Sequence, residues 1–168
     1  MAENELIYDG KEKKVYSTSD PDVVRIYFND IATAYGGIKQ AALKDKGICN
    51  NRISSIAFQT LTEHGISNHF IRRISDREQL CKRIEIIPLQ IIVRNRLAGT
   101  TARMLGLENG AKITNIVFEL RYNCDELKDP MINEHHAVAL GLLTYEELKS
   151  VMDVAAKTNE VLKELFHK

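Results

Sequence analysis

The chain has 168 residues, enough for one domain or for one compact domain with a small second lobe. Its hydrophobic content of 44% and charged content of 27% are ordinary for a soluble globular protein, and 23 basic residues against 23 acidic ones give a formal net charge of zero. That balance argues against a nucleic-acid binder, which normally carries a basic excess, and leaves room only for a local basic pocket. Three cysteines, Cys49, Cys81 and Cys124, lack CxxC spacing and form neither a disulfide framework nor a zinc site. The opening MAENELIYDG has no apolar signal core, and no apolar run approaches the ~20 residues that span a bilayer. A cytoplasmic protein without membrane contact is expected.

Taken in chain order, residues 5–28 read as three short strands of an antiparallel meander. Asp9-Gly10 is a hairpin-turn signal, and Ser19-Asp20-Pro21-Asp22 is the second turn. Residues 29–43 are less regular, with Gly36-Gly37 as a break. A helix is expected over 46–64, with Ile53, Ile56, Ala57 and Leu61 on one face and Gly65 as its stop. Residues 68–74 and 80–94 read as strands, and Pro88 marks a bend or an edge. A short helix follows over 101–105 and ends at Gly106, and residues 115–122 alternate as a half-buried strand does. Thr144 and Glu147 fit a capping box for a last helix with one apolar stripe: Leu148, Val151, Met152, Ala155, Leu162, Leu165 and Phe166. The expected class is α+β, an N-terminal antiparallel β-rich lobe over 1–87 followed by a mixed α/β lobe over 88–168 that ends in helices. The exposed side of the last stripe makes homo-oligomer formation an expectation.

Four stretches carry residues able to do chemistry. In IIPLQIIVRNRLAGTTAR, residues 86–103, an apolar strand runs into Arg94, Arg96, Arg103 and a Gly99-Thr100-Thr101 turn. A helix start with a hydroxyl and a planar guanidinium can hold phosphate or carboxylate; equally, the arginines can be surface charges at a strand end with Thr100 as a cap. In YDGKEKKVY, residues 8–16, a glycine-bearing hairpin followed by Lys11, Lys13 and Lys14 can cover a nucleotide as the glycine-rich loop of protein kinases does, or be a solvated lysine-rich turn. Lys46, Asn50, Asn51 and Arg52 at a helix start can hold a carboxylate or serve as caps. Adjacent His135 and His136 point apart on a helix, so a two-histidine metal site is not expected, and Asp125 and Asp129 beside Pro130 fit either a ligand site or turn chemistry.

The segments LIYDGKEKKVYSTSDPD, KGICNNRIS, SDREQL, IIPLQIIVRNRLAGT, DPMINE and TNEVLKELF occur together and in this order. As a set they resemble the SAICAR synthetase (phosphoribosylaminoimidazole-succinocarboxamide synthase) family. The resemblance implies an ATP-dependent ligase of purine biosynthesis that joins L-aspartate to carboxyaminoimidazole ribotide through an acyl phosphate, with ATP and Mg²⁺ as cofactors. It implies that the hairpin Gly10, Lys11, Glu12, Lys13, Lys14 and Val15 covers ATP, with Lys11 and Lys13 near the phosphates in catalytic roles. Residues 84–87, among them Ile84, Glu85 and Ile86, would meet the adenine. Arg94 and Thr100 would hold the ribotide phosphate, and Lys46, Asn50 and Asn51 are placed at the aspartate or a substrate carboxylate. The partners implied are small-molecule substrates, with no nucleic acid and no membrane.

Some positions depart from the family pattern. Gln90 stands where Glu is expected, Thr100 where Ser is, and Asn123-Cys124-Asp125 replaces Lys-Asn-Asp; Ile31 and Gly36 stand where polar residues are usual. The resemblance also implies a later strand and an Asp-Glu-x-Ser-Pro-Asp segment bearing the metal carboxylates. Neither occurs before Lys168, so no metal ligand is assigned in this chain. A non-catalytic relative that binds nucleotide or phosphosugar is the alternative.

Overall fold

The structure is a computed structural model that describes residues 4–34 and 39–167. By residue contacts the chain divides into two compact units: residues up to Glu85 together with the stretch from Glu164, and Ile86–Lys163.

The first unit is built on β1 (Leu6–Asp9), β2 (Lys13–Ser17), β3 (Val23–Phe28), β6 (Phe70–Arg73) and β7 (Glu78–Lys82). They form one sheet in the order β1-β2-β3-β7-β6, antiparallel throughout. The meander expected over residues 5–28 is present. Cross-strand partners share a face and neighbours along a strand alternate, so Lys13, Val15, Val24, Ile26, Phe28, Gln79 and Cys81 lie on one side. Val24, Ile26, Phe28 and Cys81 are the buried core of this unit, with Val15 packed against them.

Within residues 29–43, expected to be irregular, β4 (Ile31–Ala34) and β5 (Lys39–Ala42) instead pair antiparallel. Ladder hydrogen bonds organise a segment whose side chains show no strong alternation. Gly36-Gly37 lies outside the described residues.

Helix α1 (Lys46–Glu63) begins and stops close to where the sequence places it, with Gly65 at φ +72° just beyond. Its buried face is different from the expected stripe. Gly47, Asn51, Ser55 and Leu61 are buried, whereas Ile53 and Ile56 are more than half exposed. Three small or amide residues at four-residue spacing let α1 approach the sheet closely. A Cβ on Gly47 would stand 2.4 Å from the carbonyl oxygen of Phe28. The Asn51 amide donates to the carbonyls of Ser75, Asp76 and Glu78.

The second unit carries β8 (Leu89–Leu97), β9 (Ala111–Tyr122) and β10 (Met131–Ile132) in an antiparallel sheet ordered β10-β9-β8. The run expected as one strand over 80–94 is two strands, because Pro88 and the irregular 83–88 stretch separate β7 from β8. Three α-helices follow among the described residues: α2 (Gly99–Met104), α3 (Glu134–Ala139) and α4 (Tyr145–Phe166), the last of which passes into the first unit's stretch from Glu164. The α4 capping box is formed as expected. Glu147 N–H donates to Thr144 Oγ1 at 3.2 Å, and Thr144 N–H donates to Glu147 Oε2 at 2.8 Å. Of the expected α4 stripe, Leu148 is buried, Met152, Ala155, Leu162 and Leu165 are half-buried, and Val151 and Phe166 are exposed; Val161, not in the stripe, is buried. No described helix is long and apolar enough to cross a membrane.

Candidate functional site

In the first unit the β1–β2 turn is tight. Gly10 N–H donates to the Lys13 carbonyl at 3.0 Å, and a Cβ at Gly10 would come within 2.6 Å of the Tyr8 ring. A side chain there would have to push the exposed Tyr8 ring aside and would stand 3.0 Å from the Lys13 carbonyl oxygen. The three lysines of the hairpin do not converge. Lys14 sits on the face opposite Lys13 and its Nζ is 3.1 Å from Asp9 Oδ2. Lys11 is exposed at the tip. Lys13 shares the face of the core residues, and its charge reaches His69 and Cys81. Burial first, and that charge second, hold the His69 imidazolium below its ordinary range. Burial pushes the Cys81 thiol up to about 11, against the hydrogen bond from Gln79 and the Lys13 charge.

The hairpin tip is tied to the start of α1. Lys46 Nζ lies 2.9 Å from Glu12 Oε1 and donates to the Ile31 carbonyl at 2.9 Å. Asn29 N–H donates to the Glu12 carbonyl at 3.0 Å. Next to it, Arg77 grips Asp30 with both terminal nitrogens, at 2.6 and 2.9 Å, and Gly47 N–H donates to the same carboxylate at 2.9 Å. The Arg77 hydrogen bonds, followed by that of Gly47, bring the Asp30 carboxyl down from its ordinary 3.8 to about 2. Of the three residues set at a substrate carboxylate, Asn50 is half-buried, while Lys46 is held by Glu12 and Ile31. Asn51 is fully buried and its amide is engaged with three backbone carbonyls, so it is a clamp between α1 and the 75–78 turn and does not present a donor to a substrate. Ile84 and Glu85 end the first unit and Ile86 begins the second; all three are exposed and unpaired in any strand.

In the second unit the alternation of β8 and β9 answers why a buried strand carries arginine. Gln90, Ile92 and Arg94 share one face with their partners Arg121, Glu119 and Val117, while Ile91 and Val93 share the other with Leu120 and Phe118. Arg94 and Thr100, read together from the sequence, do line one open cavity of about 530 Å³. Gln90, Gly99, Arg121, Lys128 and Asp129 line it too. The cavity rim at α2 differs from the expectation in two ways. The helix has only six residues and its N-cap is Ala98, not Thr100. The Gly99 amide is already engaged, donating to Asn109 Oδ1 at 2.7 Å. An anion here would meet the side chains of Arg94, Thr100, Arg121 and Lys128, without the Gly99 amide. Thr100 Oγ1 accepts from Arg103 at 3.1 Å, which leaves its own proton to donate.

The side chain that holds Arg94 is one that the sequence reading did not single out. Glu119, 4% exposed, accepts from Arg94 Nε and, at 2.9 Å, from Arg94 Nη2. Thr101 Oγ1 donates to the same carboxylate at 2.7 Å, and Arg121 Nη2 stands 3.8 Å from it. The Arg94 hydrogen bonds hold Glu119 below the usual carboxylate range, against the opposing effect of burial. Arg94 is held further above its ordinary value by the same contact. Arg121 and Lys128 were also missed. The signal for Glu119 and Arg121 is in NIVFELRY itself, where an acid and a base fall two apart on the polar side of an alternating strand. Lys128 and Asp129 follow one another at φ +60° and +48°, a pair of left-handed residues in a turn closed by Cys124 N–H donating to Asp129 Oδ1 at 2.9 Å and Asp129 N–H donating to the Cys124 carbonyl at 3.1 Å.

The remaining candidates are structural. His136 caps α3, accepting from Asn133 N–H at 3.2 Å while its own N–H donates to Asn133 Oδ1 at 3.0 Å. His135 Nδ1 lies 2.6 Å from the Tyr145 hydroxyl. Gln90 and Asn123, two positions where the resemblance led to the expectation of a charged residue, are partners: Gln90 Nε2 donates to Asn123 Oδ1 at 2.8 Å.

A family model described as SAICAR synthetase matches residues 6–168. A phosphoribosylaminoimidazole-succinocarboxamide synthase of Clostridium acetobutylicum is 52% identical over 168 residues, 100% of this chain and 72% of that protein. Its counterpart from Fusobacterium nucleatum is 48% identical, over 99% of this chain and 70% of its own length. The crystal structure of the synthase from Ehrlichia chaffeensis superposes with a TM-score of 0.95 at 39% identity, covering 97% of this chain and 69% of that one. A SAICAR synthetase solved in complex with ADP superposes with a TM-score of 0.92, also at 39% identity and with the same coverage.

Proposed function

The chain belongs to the SAICAR synthetase family, and from that premise we propose that the cavity lined by Arg94, Thr100, Arg121 and Lys128 is its seat for the ribotide phosphate. The family's activity is an ATP-dependent ligation in purine biosynthesis. A carboxylate is a poor acceptor for an amine, so the carboxylate of carboxyaminoimidazole ribotide first takes the γ-phosphoryl group of ATP and releases ADP. The aspartate amine then attacks the acyl carbon, the C–O bond to phosphate breaks, and inorganic phosphate and one proton leave as the amide forms.

The observation that carries this reading is the convergence of three cations and a hydroxyl on one cavity of the second unit. A phosphomonoester needs planar bidentate donors and point charges around it, and Arg94, Arg121, Lys128 and Thr100 supply both. In the first unit, the Gly10–Val15 hairpin would cover ATP, with Lys11 and Lys13 close to the phosphates whose charge shifts during transfer. Lys14 would contribute charge only at a distance, because it is paired with Asp9. The exposed Ile84 and Ile86, with the backbone of Glu85 between them, would meet the adenine. Asn50 is the residue of its group left for a substrate carboxylate. Among the described residues no cluster of three or more His, Cys, Asp or Glu could cage a metal. These residues alone do not fit a protein-built Mg²⁺ site. The three free cysteines agree with a reducing, cytoplasmic setting.

The test is ADP release by the 168-residue chain given ATP, Mg²⁺, carboxyaminoimidazole ribotide and aspartate. Release that requires both ribotide and aspartate is expected, and Arg94→Ala is expected to raise the KM for the ribotide more than tenfold. Release that ignores the ribotide, or an Arg94→Ala chain with an unchanged KM, would overturn the assignment.

A further inference from the structure

We propose that Glu119 is a positioning residue: it fixes one edge of the Arg94 guanidinium so that the other edge is presented to the cavity as a two-point receptor for phosphate. This rests on the reading of that cavity as a phosphate seat. The physical case starts from the shape of the guanidinium, a rigid plane with five N–H donors. Glu119 takes the Nε–H and one Nη2–H. Among the described residues no partner meets Nη1, so the Nη1–Nη2 edge is left for a ligand. Arg94 is a side chain with rotatable bonds up to its planar head. A buried carboxylate gripping two of its nitrogens removes that freedom before any ligand arrives.

Glu119 is itself held from three directions. Its strand, β9, pairs with β8 so that it stands opposite Ile92 on the same face as Arg94. The Thr101 hydroxyl donates to the oxygen that Arg94 Nε also uses, and Arg121 flanks the other oxygen. At 4% exposure it has almost no contact with water, so its geometry is set by these neighbours. It also separates two guanidiniums that would otherwise repel.

The test exploits opposite signs. If Glu119 acted only through charge, removing its negative charge would leave the cavity more positive and tighten an anion. If it acts by positioning, the anion is lost even though the charge has improved. The probe is inorganic phosphate, titrated calorimetrically into the 168-residue chain at low salt, with ribose 5-phosphate as a second ligand. Glu119→Gln is expected to weaken both by about tenfold, and Glu119→Asp, which keeps the charge but is one methylene short, by a smaller factor. Equal or tighter binding by a folded Glu119→Gln chain would overturn the inference. Arg94→Ala serves the underlying reading: if it binds phosphate as the parent does, the cavity is not the seat and the reading fails first. If Arg94→Ala loses phosphate and Glu119→Gln does not, only the positioning role fails.

A spectroscopic readout covers the case in which Glu119→Gln does not fold. The Arg94 Nε–Hε resonance, assigned by its absence in Arg94→Lys, is expected downfield and slow to exchange in the parent. Thr101→Val, which removes one donor to Glu119, is expected to shift that resonance and weaken phosphate about threefold. An Arg94 Nε–Hε in fast exchange with water in the parent, or a Thr101→Val chain unchanged in both respects, would overturn the proposal.

Discussion

The two places where cationic residues gather in this protein are built on opposite plans. Around the start of α1 in the first unit, the charges close on one another. Lys46 meets Glu12, Lys14 meets Asp9, and Arg77 is clasped by Asp30, which also takes the Gly47 amide. In the second unit, one buried carboxylate, Glu119, is shared by Arg94, Thr101 and Arg121, and cationic donors are left over. The first arrangement fixes a backbone; the second prepares a surface. Counting lysines and arginines in a motif does not separate the two. What separates them is whether each cation has a carboxylate of its own.

The plan of closure predicts where substitution is worst tolerated. Gly47→Ala would drive a Cβ to 2.4 Å from the Phe28 carbonyl oxygen and 2.7 Å from Arg77 Nη1, and the oxygen belongs to backbone that cannot step aside. A loss of about 3 kcal/mol is expected in urea unfolding of the whole chain. Gly99 at the cavity rim is the contrast. It has φ +59° but nothing within 4 Å of its would-be Cβ. Gly99→Ala therefore carries only the left-handed backbone penalty, about 1 kcal/mol, and Gly99→Asn less. Equal costs at the two glycines would erase the distinction between a closed and an open region.

Acid probes the same closure. The folded Asp30 carboxyl lies at about 2, below its ordinary 3.8. A depressed acid stabilises the fold fully above its unfolded value and loses that contribution as the pH falls through its folded value. The stability gap between the parent chain and Asp30→Asn is thus expected to be constant above about pH 5 and to shrink between pH 4 and pH 2. A gap that does not change with pH would mean that the Arg77 contact acts by shape rather than by charge. Glu119 is depressed in the same direction, by Arg94, so the second unit should weaken in acid too.

Much of this was legible in the sequence because short-range rules fixed it. Asp9-Gly10 gave the turn, Thr144 and Glu147 the cap, and an apolar run with Arg94 the cradle strand. The missed parts depend on pairing across the chain. No local pattern says that Glu119 lies against Arg94, since 25 residues and a helix separate them. The α1 face was misjudged for a related reason. Ile53 and Ile56 suggest a greasy contact, but the small Gly47 and Ser55 are buried instead, and between them the Asn51 amide donates to the carbonyls of Ser75, Asp76 and Glu78. Burial followed backbone satisfaction there, not hydrophobicity.

The smallest effect expected is at the edge of the open region, and it bears on how a family signature can change without loss. The family resemblance implies Glu at 90 and Lys at 123; the chain has Gln90 and Asn123, and these two touch at 2.8 Å. In this chain the two positions form an amide pair. The contact is solvent-exposed, so a double-mutant cycle of Gln90→Ala and Asn123→Ala should give a coupling of about 0.5 kcal/mol in unfolding free energy. The charged pair, Gln90→Glu with Asn123→Lys, should couple by a similar amount at low salt and by less as salt is added, because an exposed ion pair is screened and an amide pair is not. If either single charged substitution is tolerated as well as the pair, the two positions are independent. Gln90 would then owe its identity to the cavity it lines rather than to Asn123.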